Sequence, residues 1–367
     1  MPDLWCQDGA DGRAGGGHLV CDREPRAAPA ALGDARQSAM QSGGSMTLTT
    51  PPRDTPDVSV LIAAYRAAAV LPVAVQAALA SVGVRVEVIV VDDASNDATL
   101  AVVQRLAEQD ARVRVASLAQ NGGPSAARNR ALAMARGAWV AVLDADDRMK
   151  PDRLARMIAL GEARSGAVDV VLGNLEQVDG QGRSLGPFLP PDRVPDGLTA
   201  AAFIRGNMRP AGGQSLGYLK PVIRRDFLQQ HGIAYDSTLR NGEDYHLILS
   251  CLLAGGTCQV DPVPGYLYTR AAGSVSHRID LDHLAALIGA EDGVLATLSD
   301  HPDLAALVTQ RRRGLVALLT TETVLRALKA GRVAQAMSAL TAHPAAATMV
   351  LRQAIEGGVR RLRQVTP

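Results

Sequence analysis

The sequence predicts an α/β fold, a mostly parallel sheet flanked by helices and followed by a helical C-terminal extension. Two observations carry this expectation. From Asp57 onward, short apolar runs of the kind buried on both faces of a parallel sheet alternate with helical stretches, which favours right-handed crossovers. After about Asp280 the strand-like runs stop and the chain becomes Ala/Leu-rich and helical.

The elements follow in order. Residues 1–56 are rich in Gly, Pro, Ala, Asp and Arg with neither periodicity, and read as a disordered leader. Val58-Ser59-Val60-Leu61-Ile62-Ala63-Ala64 is the first buried strand; a helix from about Leu71 to Ser81 follows, with Pro72 tolerated in its first turn. Val86 to Val91 form a second strand, Asn96 or Asp97 to about Gln109 a helix, and Arg112 to Ala116 a third short strand. Asn121-Gly122-Gly123-Pro124-Ser125 is a turn that opens a helix through about Arg136. Ala138 to Leu143 is again a buried strand, Pro151 to about Arg164 a helix, and Val168 to Leu172 a strand. Gly173 to about Pro195 is so rich in Gly and Pro that an irregular excursion is expected, long enough for a lid or a binding wall. The chain thus divides into the leader 1–56, an α/β domain over 57–280 with halves at 57–150 and 151–280, and a helical extension over 281–367.

Composition removes several function classes. With 38 Lys+Arg against 37 Asp+Glu there is no basic excess for neutralising duplex phosphates, and aromatics at 3% leave few platforms for stacking single strands. Nucleic acid is therefore not an expected partner. No stretch reaches roughly 18 uninterrupted apolar residues and no secretory signal is evident, so neither a spanning helix nor export is expected. Cys6, Cys21, Cys251 and Cys258 form neither a CxxC pair nor a zinc quartet and fit a reducing cytoplasm. The basic clusters Arg311-Arg312-Arg313 and Arg360-Arg361-Leu362-Arg363 give the C-terminal helices an expected peripheral contact with a membrane.

The chemistry lies at the strand ends. Val91 runs into Asp92-Asp93, Leu143 into Asp144-Ala145-Asp146-Asp147, and Ala63-Ala64 into Tyr65-Arg66. In an open parallel sheet ligands sit beyond the carboxyl ends of the strands, so these residues converge on one crevice. Asp144 and Asp146, two apart after a buried strand, suit a hard divalent cation that leaves positions open for substrate phosphates. Bland roles compete: Asp147 suits a helix cap before Pro151, and Asp92, Asp93 and Asp97 suit turns and caps. The glycine turn at 121–124 lacks the Gly-Lys-Ser/Thr of a phosphate loop, and the first strand lacks Gly-x-Gly-x-x-Gly. Arg128 and Arg130 follow that turn, where an arginine can fork onto phosphate oxygens or hold an acidic neighbour. Downstream, Asn241-Gly242-Glu243-Asp244 opens an apolar helix; the pair either favours the helix dipole or supplies a general base. Tyr268-Thr269-Arg270 leads into a loop with cations and hydroxyls suited to a diphosphate.

Taken together, Val58 to Arg66, Val88 to Asp97, Asn121 to Asn129, and Leu143-Asp144-Ala145-Asp146-Asp147 resemble glycosyltransferase family 2 in order and spacing, and Glu243-Asp244 resembles the family's downstream acidic motif. The likeness runs from about Val58 to Arg278. It implies the glycosyltransferase A fold, a nucleotide-diphosphate sugar donor, Mg2+ or Mn2+, and inversion at the anomeric carbon. By position it implies that Ala63, Tyr65 and Asp93, with Asp92 sharing the role, hold the nucleotide base and ribose, that Arg128 meets the nucleotide or diphosphate, and that Asp144 meets ribose or sugar; Arg66 and Arg270 are further expected nucleotide-sugar contacts. It further implies Asp146, with Asp144, at the metal, Asp244 as the base and Glu243 beside it. The Gln-x-x-Arg-Trp motif of processive synthases is absent, so single addition is implied. The whole is similar to bacterial transferases of exopolysaccharide (succinoglycan-type) biosynthesis acting on a glycan or lipid-linked oligosaccharide acceptor in the cytoplasm or at the inner face of the membrane. Two rivals remain at this level, a non-catalytic nucleotide-sugar-binding scaffold and a sugar nucleotidyltransferase. The intact Glu243-Asp244 counts against the first, and the missing Gly-rich nucleotidyl loop counts against the second.

Overall fold

The computed structural model describes residues 55–163, 168–208, 215–270 and 280–351. The expected leader, apart from its last two residues, lies outside them, as do the loop beyond Arg270 and the basic cluster at 360–363. The first half follows the alternation in the sequence. Strands β1 (Val58–Ala64), β2 (Val86–Asp92), β3 (Val113–Ser117) and β4 (Trp139–Val142) are parallel, with Val60 opposite Val88 and Val58 opposite Trp139. Every residue of β2 is buried, which is why that strand reads as an uninterrupted apolar run. Helices α1 (Leu71–Leu79), α2 (Thr99–Gln109) and α3 (Gly123–Met134) make the crossovers. Helix α1 buries Leu71, Ala74, Val75 and Ala78, the stripe that helical spacing presents to a sheet.

The chain moves outward from β1 through β2 to β3, then returns to place β4 on the other side of β1. This reversal opens a crevice at the carboxyl ends of β1 and β4. Next come β5 (Arg148–Met149), α4 (Arg153–Glu162), β6 (Val170–Val178), β7 (Ser184–Pro187) and α5 (Ala200–Gly206). They are followed by β8 (Lys220–Arg224), α6 (Arg225–Gln230), α7 (Glu243–Leu253) and β9 (Cys258–Thr269). Along the sheet the order is β3-β2-β1-β4-β8-β6-β9-β5, with β7 paired to β6; β8 runs antiparallel to both β4 and β6.

The expectation of an irregular excursion over 173–195 needs correction. Strand β6 continues to Val178 and β7 pairs with it as an antiparallel hairpin. Leu172, Leu175 and Val178 carry the burial across a register shift between Gly173 and Leu175. Buried Asn174 bridges that irregularity, donating to the carbonyls of Leu189 and Pro262 and accepting from the Leu189 amide. The glycines and prolines punctuate an extended hairpin.

Helices α8 (Leu281–Ala296), α9 (Pro302–Lys329) and α10 (Val333–Ala342) form the extension. Leu298 and Val308 join the main core, while Val324, Ala327 and Ala336 make a small core of their own. Of the cluster at 311–313, Arg311 turns inward onto buried Glu291 and lies over the Tyr245 ring at 3.8 Å, and Arg312 pairs with Asp292 at 2.5 Å. Two of the three charges are thus consumed within the protein, and the expected basic face is correspondingly weaker. No helix among the described residues is long and apolar enough to cross a membrane.

Candidate active site

The strand ends converge with the start of α7 on a buried charge cluster. The Asn121-Gly122-Gly123 turn is set by Asp93, whose carboxylate accepts from the Gly122 and Gly123 amides at 2.7 and 2.8 Å and from the Asn121 amide group at 2.9 Å. Gly123 has φ +83, and a Cβ there would sit 3.1 Å from the Arg240 side chain, so the position suits glycine on both counts. The turn launches α3, which brings Arg128 into the protein at 4% exposure. Arg128 donates to Asp144 Oδ1 at 2.6 Å and Glu243 Oε1 at 2.5 Å and lies 3.5 Å from Asp244 Oδ1. Burial works against its charge, but Asp244, Glu243 and Asp144 more than offset this and push its pKa up.

Lys220, at the start of β8, is the second cation. Its Nζ lies 2.7 Å from Asp144 Oδ2 and 2.9 Å from Asp244 Oδ2. Burial alone would raise the Asp244 carboxyl, but Lys220 and Arg128 outweigh it and hold the group below the usual carboxylate range. Asp144 is depressed in the same way. Asp244 is therefore ionised at neutral pH, the state a proton acceptor requires. Its Oδ1 also faces the Tyr235 hydroxyl at 3.3 Å, and the Asp144 amide donates to the Tyr266 hydroxyl at 3.0 Å. Gly242, at φ +79, lets the chain turn sharply into α7, so both acids sit in a helical first turn favourable to anions.

The remaining residues singled out by sequence are distributed around this cluster. Ala63, next to last in β1, is half-buried, and Tyr65 stands 47% exposed with the Arg66 guanidinium 5.4 Å from its ring centre. Arg66, at φ 51, donates its amide to Ser95 and its Nε to Asn96, tying the ends of β1 and β2 together. Asp92 is buried with Oδ1 unpartnered among the described residues, a spare acceptor at the crevice. Asp97 caps as its position suggested, accepting from the Thr99 amide and hydroxyl. Arg270 is exposed one residue beyond Thr269, whose amide donates to Asp147 at 2.7 Å. That bond ties Asp147 to β9, whereas the sequence suggested a helix cap. Burial, Asp144 and Asp146 together push the Asp147 carboxyl up to about 7.

The donor set fits a hard cation in part. Asp146 projects exposed and without a side-chain partner among the described residues, while both oxygens of Asp144 are engaged by Arg128 and Lys220. No cluster of three potential metal-binding side chains stands assembled among the described residues. Sequence reasoning missed Lys220, Tyr235 and Tyr266. None of them left a local signal: Lys220 opens a short strand that ends in another charge, Arg224, and nothing around the tyrosines marks them.

The Glycosyl transferase family 2 model matches residues 59–205. The succinoglycan biosynthesis protein ExoO of Rhizobium meliloti (strain 1021) is 40% identical over 291 residues, covering 79% of this chain and 82% of ExoO. The chain belongs to glycosyltransferase family 2. Another family relative is the succinoglycan biosynthesis protein ExoU of the same organism, 33% identical over 265 residues, 70% of this chain and 75% of ExoU. The fold of this family 2 glycosyltransferase is the glycosyltransferase A fold. It matches S. aureus TarS 1-349, solved in complex with UDP-GlcNAc, with a TM-score of 0.57 and 18% identity over 78% of this chain and 91% of that one. It also matches the mannosyltransferase PcManGT from Pyrobaculum calidifontis, solved with GDP-Man and Mn2+, with a TM-score of 0.53 and 19% identity over 86% and 84%.

Proposed function

We propose that this chain is an inverting glycosyltransferase that moves one hexose from a nucleotide-diphosphate sugar to the hydroxyl of a glycan or lipid-linked oligosaccharide acceptor. The observation that carries the proposal is the cluster in which Asp244, ionised and buried, shares Lys220 and Arg128 with Asp144 at the end of β4. Asp244 takes the proton of the acceptor hydroxyl while its oxygen attacks the anomeric carbon in a single displacement. Glu243 is held by Arg128 and orients the acceptor side. Tyr65, Ala63, Arg66 and the spare oxygen of Asp92 line the nucleotide position, Asp93 acts through the glycine turn it shapes, and Arg270 faces the diphosphate. Asp146, with Asp144, would hold Mg2+ or Mn2+, and that cation would supply counter-charge to the departing diphosphate. Residues 57–150 form the donor half and 151–280 the acceptor half, with 281–367 as an extension that shares the core.

The names of ExoO and ExoU support a place in exopolysaccharide assembly, and the ligands named with TarS and PcManGT support the donor class and the metal. Absence of the processive motif favours single addition, and a polysaccharide precursor places the enzyme at the inner face of the membrane. The test is Mn2+-dependent binding of UDP and GDP by titration calorimetry. Asp146→Asn is expected to weaken the Mn2+-dependent part by about tenfold or more, roughly 1.4 kcal/mol, with an unchanged circular dichroism spectrum. Undiminished Mn2+-dependent binding in that variant removes Asp146 from the metal.

A further inference from the structure

Asp144 has no carboxylate oxygen without a cation. Oδ1 receives Arg128 at 2.6 Å and Oδ2 receives Lys220 at 2.7 Å. Each oxygen still has a free lone pair, but a guanidinium and an ammonium at hydrogen-bond distance from the same carboxylate repel a divalent cation, so withdrawal of one resident cation strengthens Asp144 as a ligand. The two residents are anchored differently. Arg128 is bound to Asp144 and Glu243 and faces Asp244 as well, and its planar fork is fixed by those geometries. Among the described residues Lys220 has Asp144 and Asp244 alone as ionic partners, through one compact ammonium on a flexible stem. It can leave Asp144 and keep an ion pair, because Asp244 is already 2.9 Å away.

We propose that Lys220 is a resident counter-ion for the metal position: it neutralises Asp144 while the metal is absent and passes wholly to Asp244 when a divalent cation arrives. The inference rests on the metal reading above and adds a coupling that the reading does not contain. Two cations, Arg128 and Lys220, offset most of the charge of the three acids Asp144, Glu243 and Asp244, which makes the buried cluster tolerable before a divalent cation binds. The same balance makes the cluster a poor metal site until Lys220 withdraws. Because one ammonium serves both acids, the metal position and the base are energetically linked, and by reciprocity whatever strengthens Lys220 on Asp244 strengthens the metal on Asp144. Lys220 is thus a positioning residue whose effect is read in metal affinity.

The experiment is titration of the full-length protein with Mn2+ alone, free Mn2+ being followed by electron paramagnetic resonance, without nucleotide or acceptor. Lys220→Met is expected to bind Mn2+ about tenfold or more tighter than wild type, because the competing cation is gone, while Lys220→Arg stays weak. Asp244→Asn removes the ion pair to which Lys220 retreats, so Mn2+ affinity is expected to fall about threefold in the wild-type background and to be unchanged in the Lys220→Met background. A merely structural lysine predicts looser or equal binding in Lys220→Met, and that result overturns the proposal. If Lys220→Met does not fold, Asp244→Asn decides alone, an unchanged Mn2+ affinity overturning it. Should wild type bind no Mn2+ even with UDP or GDP present, the metal reading falls and this inference with it. Mn2+ binding in wild type with no gain in Lys220→Met removes only the counter-ion role.

Discussion

Asp244, the proposed base, combines two properties that rarely coincide in a buried carboxylate. Burial keeps solvent away, and Lys220 and Arg128 keep the group ionised despite that burial. Asp244→Asn preserves size and hydrogen-bonding shape but cannot accept a proton at neutral pH. Turnover is expected to fall about 10²-fold or more, with donor affinity staying within a few fold. Glu243→Gln is expected to be milder, since the proposal gives that side chain only a place beside Arg128. Steady-state kinetics with product nucleotide as the readout separates the two, and wild-type turnover in a folded Asp244→Asn would remove the base assignment. At this scale the acids were legible because strand ends and helix starts are marked in sequence. Lys220 and Tyr266 were not, since their partners arrive from distant segments and nothing local distinguishes them.

Helix α7 carries Asp244, the proposed base, and the residues just after it explain how it is held. Tyr245 stacks on Phe203 of α5 at 5.3 Å and lies under Arg311 of α9, while His246 lies 3.4 Å from Glu291 of α8. Burial and the nearby Arg311 push the His246 pKa down to about 3, so the ring is neutral and Arg311 alone balances Glu291. Arg311→Met would leave Glu291, wholly buried, without a counter-charge, and a loss of about 3–5 kcal/mol is expected. Urea unfolding checks this. The double variant Arg311→Met/Glu291→Gln should recover part of the loss, whereas additive destabilisation would show that the pair is not coupled. Sequence periodicity marked α7 to α9 as helices but said nothing of which faces meet. It also misread 173–195, because Gly and Pro at hairpin corners look the same as Gly and Pro in a loop.

The main core reaches from β1 and β2 through α7 to Leu298 and Val308 beyond the sheet. A chain ending at residue 280 would strip Tyr245 and His246 of their cover. It is expected to lose the cooperative thermal transition seen by calorimetry, and a retained sharp transition would show that the extension folds apart. The sequence by itself determined the strand–helix alternation, the parallel half of the sheet and the acids placed at its carboxyl edge, because burial on both faces demands apolar runs and strand ends are where polar chemistry can begin. Only the tertiary structure decided that β8 inserts antiparallel between β4 and β6, that its first residue, a lysine, is shared by two acids, and that an arginine of the basic cluster turns inward against α7. Those outcomes depend on long-range pairing and on charges that are costly to bury alone, and neither leaves a period in the chain.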